Sequence, residues 1–233
     1  MKADKYEKYI LAFDSSTPWL SVALAQGQEV KVSLLHYARE NHSRYLFDHL
    51  EYLKKEYALQ STNLEAVIVG IGPGSFTGVK IGVCVAKAIA FGYQLPLVGF
   101  STLESLALEA MRSSFFSKDF EKIFPIIHHK KDEIFWVDLD WKTPWKEIQP
   151  ITKVETGNIQ DFVAKYARYR GLVVSPSSFL KSHFEGCEGN LLFMQAFPQA
   201  LRLIELYHQR GSREIASTEN VFRVGPIYGA KLF

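Results

Sequence analysis

Cysteine is scarce: only Cys84 and Cys187 occur among 233 residues. Two thiols cannot build the disulfide framework of a small secreted domain, so a reducing compartment is the simpler expectation. Charge of one sign is missing too. The chain has 27 Lys and Arg against 25 Asp and Glu, a formal net charge of +2. Proteins that coat nucleic acid carry a strong basic excess, and that class is disfavoured. Long hydrophobic runs are absent. The longest mostly apolar stretch, residues 81–91, is broken by Lys87 and reads as too short to span a bilayer. Residues 1–9 are rich in Lys, Asp and Glu, and no apolar region of signal-peptide length follows. The expectation is a soluble, cytoplasmic chain. With 47% hydrophobic and 14% aromatic residues there is ample material for a core, which excludes global disorder.

Periodicity organises the first half. Residues 10–13, 20–25 and 29–35 read as three short strands joined by turn chemistry at 14–18 and 26–28. A helix follows, capped by Asn41 or Ser43, with Leu46, Leu50, Leu53 and Tyr57 on one face. Residues 66–71 are apolar enough for a strand buried on both faces. A glycine-rich turn then leads into a helix from about Val79 to Tyr93, a strand at 97–100, and a helix capped by Ser101 or Thr102. The order β-β-β-α-β-α-β-α predicts an α/β fold with a mixed sheet. In the second half, 123–128 and 133–139 read as paired strands and 141–150 as loop. Residues 158–170 read as helix, 171–174 and 191–193 as strands, and 198–210 as helix. Two lobes are expected, residues 1–112 and 113–233, with helix 198–210 a candidate to pack back on the first.

Few residues are arranged for chemistry. Gly70, Gly72, Gly74, Gly78 and Gly82 concentrate five of the 15 glycines between a strand and a helix. Such a turn either presents N–H groups to an anion or lets helix and sheet pack closely. It is neither a P-loop nor the dinucleotide fingerprint. Asp14, at the end of the first strand, either faces a metal or phosphate or closes an Asx-turn, the simpler reading. Gly82, Ala86 and Ala90 form a stripe of small side chains at i, i+4 and i+8, beside Ile81, Val85, Ala88 and Ile89. A helix this apolar is buried in its domain or sits in an interface. His42 and His49 lack zinc-enzyme spacing, since Leu46 stands four after His42, and His128 and His129 are adjacent. No metal site is expected. Cys84 reads as a packed thiol. Lys165, Arg168 and Arg170 are the only modest basic cluster, weak support for direct RNA binding.

Specific segments do stand out: I-L-A-F-D-S-S-T at 10–17, S-V-A-L at 21–24, His42-Ser43, G-P-G-S-F-T-G-V-K-I-G at 72–82 and L-P-L-V-G-F-S-T-L at 95–103. Together they resemble the TsaB (YeaZ) family. The resemblance implies an actin-like, sugar-kinase-like (ASKHA) fold of two RNase-H-type lobes. It further implies a pseudoenzyme in tRNA modification, forming threonylcarbamoyladenosine next to the anticodon. The implied role is a non-catalytic scaffold for the TsaD transferase, joined by the TsaE ATPase and reaching tRNA only through that complex. A homodimer is implied when the chain is alone, with no membrane contact. No cofactor is implied, since nucleotide and metal belong to the partners. The resemblance makes His42, Ser43, Leu46 and Leu50 on one helix interface candidates. On the next helix it adds Ile81, Gly82, Val85, Ala86, Ile89 and Ala90, tipping the small-residue stripe toward an interface. Asp14, Gly72, Gly74, Ser75 and Gly78 become candidates for a vestigial phosphate site, with no catalytic residue. An alternative is an active nucleotide-hydrolysing or peptidase-like member of the same superfamily. Two departures stand out: His128-His129-Lys130 followed by Glu133-Ile134-Phe135 replaces the family's Asp-Ala-Arg and Glu-Val-Tyr, and Lys80 replaces an Arg.

Overall fold

The computed structural model describes residues 7–140, 151, 153–186, 190–210, 221, 223–228 and 231–232. The loop expected at 141–150, and Cys187, lie outside the described residues.

Alternation along the strands explains the first lobe. Strands β1 (Tyr9–Asp14), β2 (Trp19–Gln26), β3 (Glu29–Tyr37), β4 (Leu64–Gly70) and β5 (Leu97–Phe100) form a sheet in the order β3-β2-β1-β4-β5. β1 pairs antiparallel with β2 and parallel with β4. Successive side chains of a strand point to opposite faces. Leu11, Phe13, Val67 and Val69 therefore face one way, into a core shared with helices α1 (His42–Glu56) and α2 (Phe76–Tyr93). Ile10, Ala12, Ala66 and Ile68 face the other way. That is why residues 66–70 form a continuous apolar run.

Helix α2 starts at Phe76, three residues before the expected Val79, because the Ser75 hydroxyl caps it by accepting from Gly78 N. At 18 residues and mean hydropathy 1.3 it is long and apolar enough to cross a membrane by length and composition. It is thus longer than the stretch 81–91 that the sequence suggested. Here it lies along β4, with Gly82, Val83, Ala86 and Ala90 buried. Helix α3 (Thr102–Arg112) starts with a full capping box between Ser101 and Glu104.

The second lobe repeats the same plan. Strands β6 (Lys122–Lys130), β7 (Glu133–Trp136), β8 (Glu155–Asn158), β9 (Gly171–Ser175) and β10 (Leu191–Gln195) run in the order β10-β9-β6-β7-β8. β7 is antiparallel to β6 and β8, whereas β9 is parallel to β6 and β10. Each lobe is thus a three-stranded meander extended by two parallel strands, the RNase-H-type plan of an actin-like α/β fold. The short β8, E-T-G-N, had no apolar alternation to signal it. One face of this sheet packs on helix α4 (Ile159–Tyr166) and a 3-10 turn at Ser178–His183, the other on α3. Helix α5 (Ala200–Arg210) returns to the first sheet, where Leu203, Ile204 and Leu206 cover Ile10, Ala12 and Ile68. At its end Arg210 pairs with Glu104 at 2.8 Å, both side chains buried. The Glu104 carboxylate also accepts from Ser101 N at 2.8 Å and Ile151 N at 3.2 Å, so one side chain ties α3, α5 and the second-lobe segment together.

Candidate functional site

The turn after β1 is closed by its own side chains. Asp14 Oδ1 accepts from Ser16 N at 2.9 Å and from the Ser16 hydroxyl, and Oδ2 accepts from the Thr102 hydroxyl at 2.9 Å. This is the Asx-turn, reinforced from α3. Burial raises the Asp14 carboxyl above its usual range, outweighing those hydrogen bonds and the nearby His42. Burial likewise lowers His42, against the pull of Asp14. Burial thus holds both groups toward their neutral forms, and the Asp14 oxygens are occupied by Ser16 and Thr102.

The glycines serve close packing. A Cβ on Gly74 would run into the Ser16 carbonyl, one on Gly78 into the Ser15 carbonyl, and one on Gly82 would lie 2.5 Å from Ser15 Oγ. Ser75 N donates to Ser16 O at 2.7 Å, and the Ser15 hydroxyl donates to Gly78 O at 2.8 Å. Gly72 takes φ +89°, open only to glycine at low cost, and its carbonyl receives Thr102 N and the Ser101 hydroxyl. The candidate phosphate site is thus corrected. Asp14, Gly72, Gly74, Ser75 and Gly78 knit two turns together, and the Ser75 amide that would cradle an anion already has a partner.

Two hollows remain. The first is an apolar groove of about 860 Å3 between α1 and α2, lined by Phe47, Leu50, Lys54, Val85, Ala88 and Ile89. Phe47 is 58% exposed there. The second, about 550 Å3, opens between the lobes, and Gly74 and Ser75 form part of its floor.

The candidate interface residues divide between groove and core. Ser43 is exposed, and Leu50, Ile81, Val85 and Ile89 are half-buried on the outer side. His42, Leu46, Gly82, Ala86 and Ala90 are buried inside the lobe, which corrects the expectation that the small-residue stripe meets a partner. The physical reason is that α2 packs on its own sheet: Gly82 has room for no Cβ beside Ser15 Oγ, and Ala86 and Ala90 join the core cluster of Val67 and Val69. Cys84, expected to be packed, is exposed on the opposite side.

Other expectations were dispersed. Lys165 pairs with Glu155 at 2.9 Å, Arg170 with Asp119 at 3.8 Å, and Arg168 lies over Tyr169, so that cluster is engaged internally. Among the described residues no group of three His, Cys, Asp or Glu could hold a metal ion. Phe47 and the Glu104–Arg210 pair were not anticipated. Only the S-x-x-E spacing of Ser101 and Glu104 could have flagged the pair.

A family model for TsaD, tRNA N6-adenosine threonylcarbamoyltransferase, matches residues 36–149. The chain is 32% identical over 129 residues to the tRNA threonylcarbamoyladenosine biosynthesis protein TsaB of Escherichia coli, covering 55% of this chain and 54% of that one. Identity to TsaB of Bacillus subtilis is 36% over 98 residues, 42% and 43% of the two chains. The TsaB of Haemophilus influenzae aligns almost end to end, 25% identical over 94% of this chain and 92% of its own. These matches support the TsaB (YeaZ) family. The chain spans about half the length of the first two of these TsaB relatives. YeaZ from Pseudomonas aeruginosa shares the fold of this chain, with TM-score 0.72 and 22% identity over 95% of this chain and 99% of that one.

Proposed function

We propose that this chain acts in forming threonylcarbamoyladenosine in tRNA as a non-catalytic scaffold for a TsaD-type transferase. The observation that carries the reading is the α1–α2 groove. Phe47, Val85, Ala88 and Ile89 offer an apolar surface, and the outer face of α2 has Lys80 and Lys87 but no acidic residue. Burial of such a surface drives association. The match to a transferase family model supports a related chain as the partner, since two similar folds can present similar helix pairs to each other. In this reading the groove closes a homodimer when the chain is alone and the transferase replaces one copy. A TsaE-type ATPase joins in the cytoplasm, and nucleotide and metal are held by those partners. The closed Asp14 turn supports the absence of chemistry here.

Copurification with the transferase, followed by nucleoside analysis of tRNA after depletion, tests the reading. The expected result is a stable pair and loss of threonylcarbamoyladenosine. Robust nucleotide or peptide hydrolysis by the pure chain, abolished by Asp14→Ala, would overturn it in favour of an active enzyme.

A further inference from the structure

The cavity between the lobes gathers residues that are far apart in sequence. On the first lobe Trp19 and Tyr37 line it, their rings 5.0 Å apart, and Trp19 is backed by Phe197 at 4.2 Å. On the second lobe His128 and Phe179 line it, stacked at 5.1 Å with planes 25° apart. His128 Nε2 lies 2.5 Å from the Lys131 carbonyl, which fixes the imidazole. Tyr37 and Phe179 are 55% and 54% exposed, a high fraction for large rings that already touch other rings. Among the described residues no Asp or Glu lines the cavity. Lys130 ends β6 and Lys131 opens the β6–β7 turn directly after His129, and Lys181 follows Phe179 by two residues. Lys130 pairs with Glu133 at 3.8 Å, both side chains being exposed, and Asp132 lies in the same turn.

We propose that this cleft mouth receives an unpaired RNA base, stacked against Tyr37 or Phe179, with the adjacent strand's phosphates near Lys130, Lys131 and Lys181. The inference rests on the tRNA-modification reading above for its choice of ligand and adds a direct contact that the basic cluster at Lys165, Arg168 and Arg170 does not supply. Single-stranded RNA is held by aromatic and histidine faces for the bases and by cations for the backbone. A lining without carboxylates suits that polyanion. A free nucleoside triphosphate fits less well, because Ser75 N–H already donates to Ser16 O where a phosphate would need it. Ser177, Ser178 and Gln195 offer polar groups for base edges within the same cavity.

The test uses the full chain and a fluorescein-labelled single-stranded RNA of about seven nucleotides, read by anisotropy. Phe179→Ala and Tyr37→Ala are each expected to weaken binding about tenfold, the usual worth of one stacked base. Phe115→Ala, a similarly exposed ring outside the cavity, should leave it unchanged. Crosslinking of a thiouridine-containing RNA to wild-type protein should label peptides that carry Tyr37 or Phe179, which keeps the test decisive should a variant fold poorly. Equal binding by both cleft variants overturns the proposal, as does displacement of the RNA by AMP as readily as by unlabelled RNA. Crosslinks confined to other surfaces, where a partner protein would then be the better occupant of the cleft, also overturn it. Any of these failures leaves copurification with the transferase untouched, so the two readings fail separately.

Discussion

Adjacent residues on α2 should respond oppositely to the same substitution. Ala86 is fully buried against the first sheet, whereas Val85 is half-buried and lines the outer groove. Glutamate at position 86 places a carboxylate in an apolar core cluster, an effective penalty of several kcal/mol. It also adds side-chain volume to a close-packed layer, about 1–3 kcal/mol more. A total of about 5 kcal/mol is a large part of the roughly 5–15 kcal/mol that holds a domain folded. For a chain of this size it lowers the melting temperature by about 10–20 °C. Val85→Glu lies at the surface and should cost at most about 1 kcal/mol of stability, a shift of about 2–4 °C. Its effect belongs to association, since a carboxylate would enter an apolar contact. Circular dichroism melts and sedimentation of both variants separate the two effects. If Ala86→Glu melts within about 4 °C of wild type while abolishing self-association, the helix faces the other way and the argument fails.

Glu104→Ala should lower stability by about 3–5 kcal/mol, because it leaves Arg210 buried without its carboxylate and Ile151 N without its acceptor; denaturant titration reads the loss. Stability should also fall as pH drops below about 6.5. Burial lowers both His42 and His49 from that ordinary value, so the unfolded chain binds more protons there and stability rises with pH across that window. His49→Gln should flatten the melting temperature between pH 7.5 and 5.5, and an unchanged slope would show that His49 does not drive it. The raised Asp14 acts with the opposite sign, favouring the fold as pH falls through its folded-state value. Gly74→Ala should reduce soluble yield sharply, because the new methyl meets the Ser16 carbonyl backbone, whereas Gly92→Ala, with nothing within 4 Å, should be neutral or stabilising.

Legibility followed the reach of each signal. The meander, the buried β4 run and the capped α3 are local patterns, and residues 10–103 declared them along with the family resemblance. The direction of α2 was not local. Gly82, Ala86 and Ala90 announce a close approach, but nothing in their spacing says whether the approaching backbone is the chain's own sheet or another molecule. Ser15, 67 residues before Gly82, decides it. The glycine turn posed the same ambiguity, resolved by Ser16. Ser101 was read as a cap, but Glu104 was not read as a hub, since its partners Ile151 and Arg210 are distant in sequence. Trp19–Tyr37 forms across β2 and β3 and His128–Phe179 forms within the second lobe, and the two pairs line one cavity only after both lobes have formed.

The return of α5 to the first sheet also sets an order of events during synthesis. The first sheet is complete in sequence at Phe100, yet Ile10, Ala12, Ala23, Ala66 and Ile68 are covered by a helix that begins at Ala200. At about 5–20 residues per second, the ribosome takes roughly 5–20 s to deliver those intervening 100 or so residues. Throughout that interval the nascent chain exposes an apolar sheet face large enough to attract a chaperone or another nascent copy. Premature termination anywhere between β5 and α5 would leave that face open for good, so truncated products should be insoluble even when they contain every first-lobe strand.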